Sequence, residues 1–372
     1  MPAHSHQYLL ISLSFNKDNS FFESYHQILI DSILFLIGLM IVLLTYILIA
    51  LIIKRRNERL RKRFSRITDL LIQRAIFYDE EELPELSLGV SRLLKIKLFR
   101  CLLTEEILKA KRNFSGSAAN NLRLLYLECN LDYDSQKKLH SSKWNVKAQG
   151  IQELAEMGQQ KAFDQIFELT NNKNEQVRIE AQNAVVIFSG LNGLNFLDFL
   201  TYPLSDWQQI KLIGELGDAT EESSNYIKKW IGSSNNSVVI FALKLAARYH
   251  HFELHDRVTL CLSHPSAEVR NHAIKTLKEI FDESTAANLV KLYDNEGLKN
   301  LLEILDVLKE IGTESEIPFL MNEFQKEDHK IKLAAGRAIA NIKGIEILES
   351  SEFAPQYPWD QIIQQIKGEL TE

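Results

Sequence analysis

The stretch Glu175–Phe188, EQVRIEAQNAVVIF, decides the fold, because its pattern returns along the chain at steps near thirty-one residues. With Val177 as the reference, the equivalent positions are Val146, Val177, Ser205, Val238, Val269, Asn300 and Ile331, at intervals of 31, 28, 33, 31, 31 and 31. Four residues on stand Gly150, Ala181, Gln209, Ala242, Ala273, Ile304 and Ala335, five of them small. Eight and eleven residues on, the columns running from Leu154 and Met157 to Ile339 and Ile342 are apolar in all seven copies. The spacing 0, 4, 8, 11 marks one face of an α-helix, and a small residue at 4 lets a neighbouring helix approach closely. Ahead of each such helix comes a second apolar-periodic segment after a short turn, for example AFDQIFELT (162–170) and IPFLMNEF (317–324). Pro318 there suits a first helical turn. Each unit therefore reads as two antiparallel helices, and only stacking of neighbours buries their stripes in a continuous core.

Together with EVRNHAIKTLKEI (268–280) and HKIKLAAGRAIANIKG (329–344), this stretch resembles the second helix of HEAT repeats, specifically the short bacterial HEAT-like kind found in the phycobilisome-lyase type. The resemblance covers 144–345, with a weaker copy in EEILKAKRNFSGSAANNLRLLYLECN (105–130). The copies at Ser205 and Asn300 follow the period more than the motif. What the resemblance implies is an all-α chain, a right-handed α-solenoid of HEAT-like helix pairs, used as a protein-binding surface. The HEAT-like deoxyhypusine hydroxylases, by the same resemblance, hold iron through His-Glu dipeptides. None of the ten histidines here precedes a Glu. Bilin lyases with such repeats are soluble, whereas this chain carries an apolar span.

That span is ILFLIGLMIVLLTYILIALII, Ile33–Ile53, without a charge. As a helix it is about 31 Å long, enough to cross a bilayer's hydrocarbon core. KRRNERLRKRFSR follows at once, with eight basic residues, Lys54, Arg55, Arg56, Arg59, Arg61, Lys62, Arg63 and Arg66, against Glu58. The basic block suits an anionic cytoplasmic leaflet, and the positive-inside bias places the N-terminus outside a bacterial inner membrane. The net charge of −6 hides an asymmetry, since residues 67–372 carry 34 Lys and Arg against 45 Asp and Glu. A soluble region that acidic argues against nucleic acid.

The expected organisation is a short extracytoplasmic tail (1–27), a transmembrane helix (28–53), a basic amphipathic helix with an acidic hinge (54–90), the solenoid (91–350) and a C-terminal capping segment (351–372). Leu60, Phe64, Ile67, Leu71 and Tyr78 form the helical stripe below the span, and Asp79–Glu82 with Pro84 marks the hinge. Cys101, Cys129 and Cys261 read as buried thiols of a reducing compartment.

Candidate chemistry is sparse. His250, His251 and His255 in RYHHFELHD offer a metal-binding reading, although the register puts them in a turn and no Cys pair accompanies them. Phosphate-loop, nucleophile-elbow and zincin motifs do not occur, so no cofactor is implied. The position after each reference residue is basic in four copies, Lys147, Arg178, Arg270 and Lys332. These form either an anionic-partner groove or an inter-repeat ladder paired with acids such as Glu175, Glu268 and Asp328. VVIFALKLAARY (238–249) is apolar nearly all round, hence either deeply buried or facing a partner through Val239 and Phe241. The reading that results is a non-catalytic membrane-anchored scaffold with a protein partner at the membrane, one form being regulation of a glycosyltransferase. A metal enzyme and a signal-transducing anchor are the alternatives.

Overall fold

A computed structural model describes residues 5–77, 87–218, 223–352 and 354–371, with side chains from Leu29 to Leu370. The described residues form helices and turns with no strand, in two compact units, Met1–Leu131 and Asp132–Glu372.

The first unit is built on α1 (Ser5–Ile76), one uninterrupted helix of 72 residues. The tail expected before the span is therefore helical from Ser5 and continuous with it. The most apolar window of the helix has none of its residues buried, unlike the core helix of a soluble protein. Further along, α1 packs on α3 (Lys97–Asn113) and α4 (Gly116–Glu128), which follow the short α2 (Leu88–Leu93). The buried face is Phe64, Thr68, Ile72 and Ala75, while Leu60, Ile67 and Leu71 sit at its half-buried margin. The expected stripe is thus rotated, because the small Thr68 and Ala75 permit a closer approach than the larger residues do. Tyr78, Asp79–Glu82 and Pro84 lie outside the described residues. The pair α3–α4 is the weaker repeat copy, burying Leu122, Tyr126 and Cys129. Cys101 is exposed, contrary to expectation, on the outer side of α3, whereas Cys129 and Cys261 are buried.

The second unit stacks helix pairs. These are α5 (Leu131–Leu139) with α6 (Trp144–Glu156), α7 (Phe163–Phe167) with α8 (Glu175–Ser189), and a 3-10 stretch (Gly190–Asp198) with α9 (Asp206–Glu215). Then come α10 (Ser223–Ile231) with α11 (Asn236–Arg248) and α12 (His255–Leu260) with α13 (Ala267–Glu279). The series continues with α14 (Thr285–Tyr293) and α15 (Leu298–Ile311), then α16 (Ile317–Gln325) and α17 (His329–Lys343). Consecutive second helices pack against each other, α6 on α8, α11 on α13, α13 on α15 and α15 on α17. One core runs through the unit, from Leu139 to Ile366. This is an α-solenoid.

Helix starts reveal the register more sharply than side-chain patterns do. The residues capping the second helices are Lys143, Asn174, Ser205, Asn235, Ser266, Gly297 and Asp328, all thirty-one apart except for one step of thirty. In six copies the reference residue is the third of its helix. Ser205 instead caps α9, closing a capping box with Gln208, so Gln208 takes the reference place and Leu212 and Leu216 the core places behind it. The irregular intervals 28 and 33 vanish. Asn300 keeps its place as a buried polar residue because Asn271 donates to its side chain at 2.9 Å, and its own amide donates to the Ala267 carbonyl at 3.1 Å.

The period also runs beyond the expected end. Ile362 and Ile366 stand thirty-one residues after Ile331 and Ala335 and are buried like them. They belong to α19 (Trp359–Thr371), which packs on α17 after the short α18 (Glu346–Glu349). The C-terminal segment is thus an eighth second helix, and its Trp359 indole donates to the Phe324 carbonyl at 3.0 Å.

Gly150 shows why the small column matters. A Cβ there would lie 2.5 Å from the Leu139 amide nitrogen and 2.8 Å from Lys138. Gly150→Ala is expected to lower stability by about 1–3 kcal/mol through overpacking, although alanine outranks glycine in a helix by about 1 kcal/mol. Chemical denaturation of the two proteins checks this.

Candidate interaction surfaces

The basic residues Lys54, Arg55, Arg56, Arg59, Arg61, Lys62 and Arg63 all project into the open from α1, directly below the apolar stretch. Successive residues turn by about 100°, so the run charges the helix surface except on the side that carries Asn57, Leu60 and Phe64. It forms a collar.

The basic column in the second unit has a different fate. Arg178 is buried, donates to the Asn172 carbonyl at 2.8 Å and lies over the Tyr202 ring at 4.1 Å. Arg270 repeats this geometry, donating to the His264 carbonyl at 2.8 Å, while its other nitrogens clasp both oxygens of Glu296. Lys332 is buried over the Trp359 ring at 3.9 Å. Each base reaches forward to the turn that precedes the next second helix, so the column is an inter-repeat ladder and Arg178 and Lys332 offer no groove. Its partners are Tyr202, Glu296 and Trp359 rather than Glu175, Glu268 and Asp328, because the extended side chains point toward the following repeat. Lys147 is half-buried in the first turn of α6.

Val239 and Phe241 are fully buried. The apolar circumference of α11 is core, so Val239 and Phe241 pack inside the solenoid and face no partner, contrary to the partner-facing expectation. The histidines also divide. His251 precedes a 3-10 turn and His255 opens α12, so they share no helical face. His251 is hydrogen-bonded to the Ser223 hydroxyl at 2.8 Å, and His255 to the Thr285 hydroxyl at 2.8 Å. Both hydroxyls open first helices of adjoining repeats. His250 is exposed with φ of 49°. Among the described residues no three His, Cys, Asp or Glu side chains form a cluster suited to a metal.

The open face of the second helices carries ion pairs between repeats. Lys211 meets Glu180 at 3.7 Å, Lys244 meets Asp206 at 3.0 Å, Lys275 meets Glu303 at 3.3 Å and Lys278 meets Asp306 at 3.6 Å. Arg337 grips Glu369 with two nitrogens. That contact holds the Glu369 carboxyl down at about 2. Pairs this exposed contribute little stability each. Between the first two of them, Trp207 and Ile210 project from α9 with 71% and 60% of their surface exposed. Three residues apart, they share one helical face. An exposed aromatic beside an exposed aliphatic residue is the composition of an interface anchor. Sequence reading overlooked them because the register was slipped in that repeat.

No family model matches the chain, and no curated protein matches it. Among solved structures it is similar to an engineered protein at 15% identity and a TM-score of 0.38, over 75% of this chain and 87% of that one. A designed armadillo repeat protein is similar at 15% identity and a TM-score of 0.30, over 56% and 98% of the two chains. For Kap121p the figures are 11% and 0.32, over 82% and 37%. The solenoid assignment rests on the helix register itself.

Two of these contacts have measurable consequences. The Glu296 side chain is wholly enclosed, and Arg270 supplies its counter-charge while the Asn300 amide donates to it at 2.7 Å. Arg270→Ala is expected to cost about 3–5 kcal/mol by stranding that charge, and adding Glu296→Gln should recover part of the loss in thermal unfolding. Burial, reinforced by Lys244 and Lys275, brings the His272 imidazole down from 6.5 to about 4. Between those values the unfolded chain binds the extra proton. Stability from this group is therefore complete above about pH 6.5 and declines as the pH falls toward 4. His272→Gln should flatten the unfolding midpoint across that window.

Proposed function

We propose that this chain is a single-pass protein of a bacterial inner membrane, with its N-terminus outside and its solenoid presented in the cytoplasm as a non-catalytic scaffold or adaptor. The observation that carries this reading is α1. One helix contains both an uncovered apolar run and the buried face on which the first repeat pair is built. A helix used this way is a mount that fixes the first repeat at a set distance from the bilayer. The collar from Lys54 to Arg66 supports the orientation, since anionic lipid headgroups attract it and translocation opposes moving it across.

On this reading the partner is a membrane or membrane-associated protein, such as a glycosyltransferase that the solenoid regulates. Trp207 and Ile210 on α9 are its anchor. A binding rather than catalytic role fits the deployment of ionisable groups, since Arg178, Arg270, His251 and His255 are all engaged in joining repeats.

Crosslinked co-purification from native membranes tests the proposal. A stoichiometric protein partner is expected with the full chain and should be lost from Trp207→Ser/Ile210→Ser, whose circular dichroism stays unchanged. Recovery of the chain without a stoichiometric partner would overturn the scaffold reading.

A further inference from the structure

We propose that the corner between α2 and α3, residues 88–97, is a second membrane contact that rests on anionic lipid headgroups beside α1. This depends on the reading of α1 as a membrane span. The height of the corner comes from packing within the first unit. Phe64 of α1 meets Phe99 of α3 edge to face, with ring centroids 5.4 Å apart. Buried residues on both helices continue from this pair in the direction away from the apolar run, Thr68, Ile72 and Ala75 on α1 and Leu102, Leu103 and Ile107 on α3. The helix α3 therefore descends alongside α1, and its N-terminus points back toward the span. The following α4 runs antiparallel to α3, since Arg100 near the start of α3 donates to the carbonyls of Cys129 and Asn130 just past the end of α4, at 3.0 and 2.5 Å.

Phe64 lies eleven residues beyond Ile53, about 16 Å along the helix axis. The headgroup layer takes up about 5–8 Å of that distance. The α2–α3 corner precedes Phe99 on the membrane side, which brings it within about one Debye length, roughly 8 Å, of the headgroup charge.

Its surface chemistry matches that position. Arg92, Lys95 and Lys97 are exposed, and none of them is in an ion pair among the described residues. Ile96, 42% exposed, stands between Lys95 and Lys97, and Leu88, 81% exposed, lies four residues before Arg92. Residues 87–131 carry eight Lys and Arg against three Glu. Cations that meet lipid phosphates, with aliphatic side chains able to enter the interface between them, make an interfacial membrane contact.

The test uses the full chain in nanodiscs of phosphatidylcholine, with and without phosphatidylglycerol. A photoreactive benzoylphenylalanine is placed in turn at Leu88, Ile96, Tyr46 within the span, and Phe114 at the far end of α3. Lipid adducts are expected at Tyr46 in both discs, at Leu88 and Ile96 in the anionic discs, and not at Phe114. Arg92→Glu/Lys95→Glu/Lys97→Glu should abolish the adducts at Leu88 and Ile96. Absence of an adduct at Tyr46 would overturn the span itself. An adduct at Tyr46 with none at Leu88 and Ile96 in anionic discs would overturn the corner contact alone, as would adducts there that do not depend on lipid charge.

Discussion

Every element of the second unit depends on one constraint: no helix in it can bury its apolar stripe without the helix of the next repeat. The small column at Gly150, Ala181, Ala242, Ala273 and Ala335 sets how closely those helices approach, and all five are buried. A methyl group more or less in that column is felt directly, because the neighbour at Gly150 is backbone rather than a flexible side chain. The same constraint explains α19. The eighth helix packs on α17, with Ile366 close against Gly336, and buries Ile362, Ile363 and Ile366 there. The other side of α19, with Gln364, Gln365 and Lys367, is exposed and polar.

Charge is distributed by the same logic. Arg178, Arg270 and Lys332, which follow reference positions, cross to the next repeat and stack on rings or grip a buried carboxylate. Exposed lysines on the second helices find acids one repeat away. The second unit is acidic yet locally neutralised along its stacked face, which leaves apolar side chains such as Trp207 and Ile210 as the distinctive features there. The first unit differs. Its collar and its α2–α3 corner hold cations in the open.

Much of this was legible in the sequence. The period, the helix pairs, the apolar run and the basic block follow from spacing and composition, because backbone geometry fixes which residues share a face. Slips arose where two physical signals competed. At Ser205 a capping serine occupied the place that elsewhere holds a buried valine, and the polar Gln208 that truly fills it carried no hydrophobic signal. In α1, aliphatic residues drew the expected stripe, while the contact with α3 and α4 chose the face with Thr68 and Ala75.

What the sequence determined by itself is therefore the repeat, its length and the place of the apolar helix, since these depend on local periodicity along one chain. Only the tertiary structure decided the partners of long polar side chains. Arg270 chose Glu296 over Glu268, Lys332 chose Trp359, and Val239 and Phe241 became core rather than surface. Those outcomes depend on which atoms the stacking of helices brings within a few ångströms, and residues near each other in space there are separated by about a whole repeat in sequence.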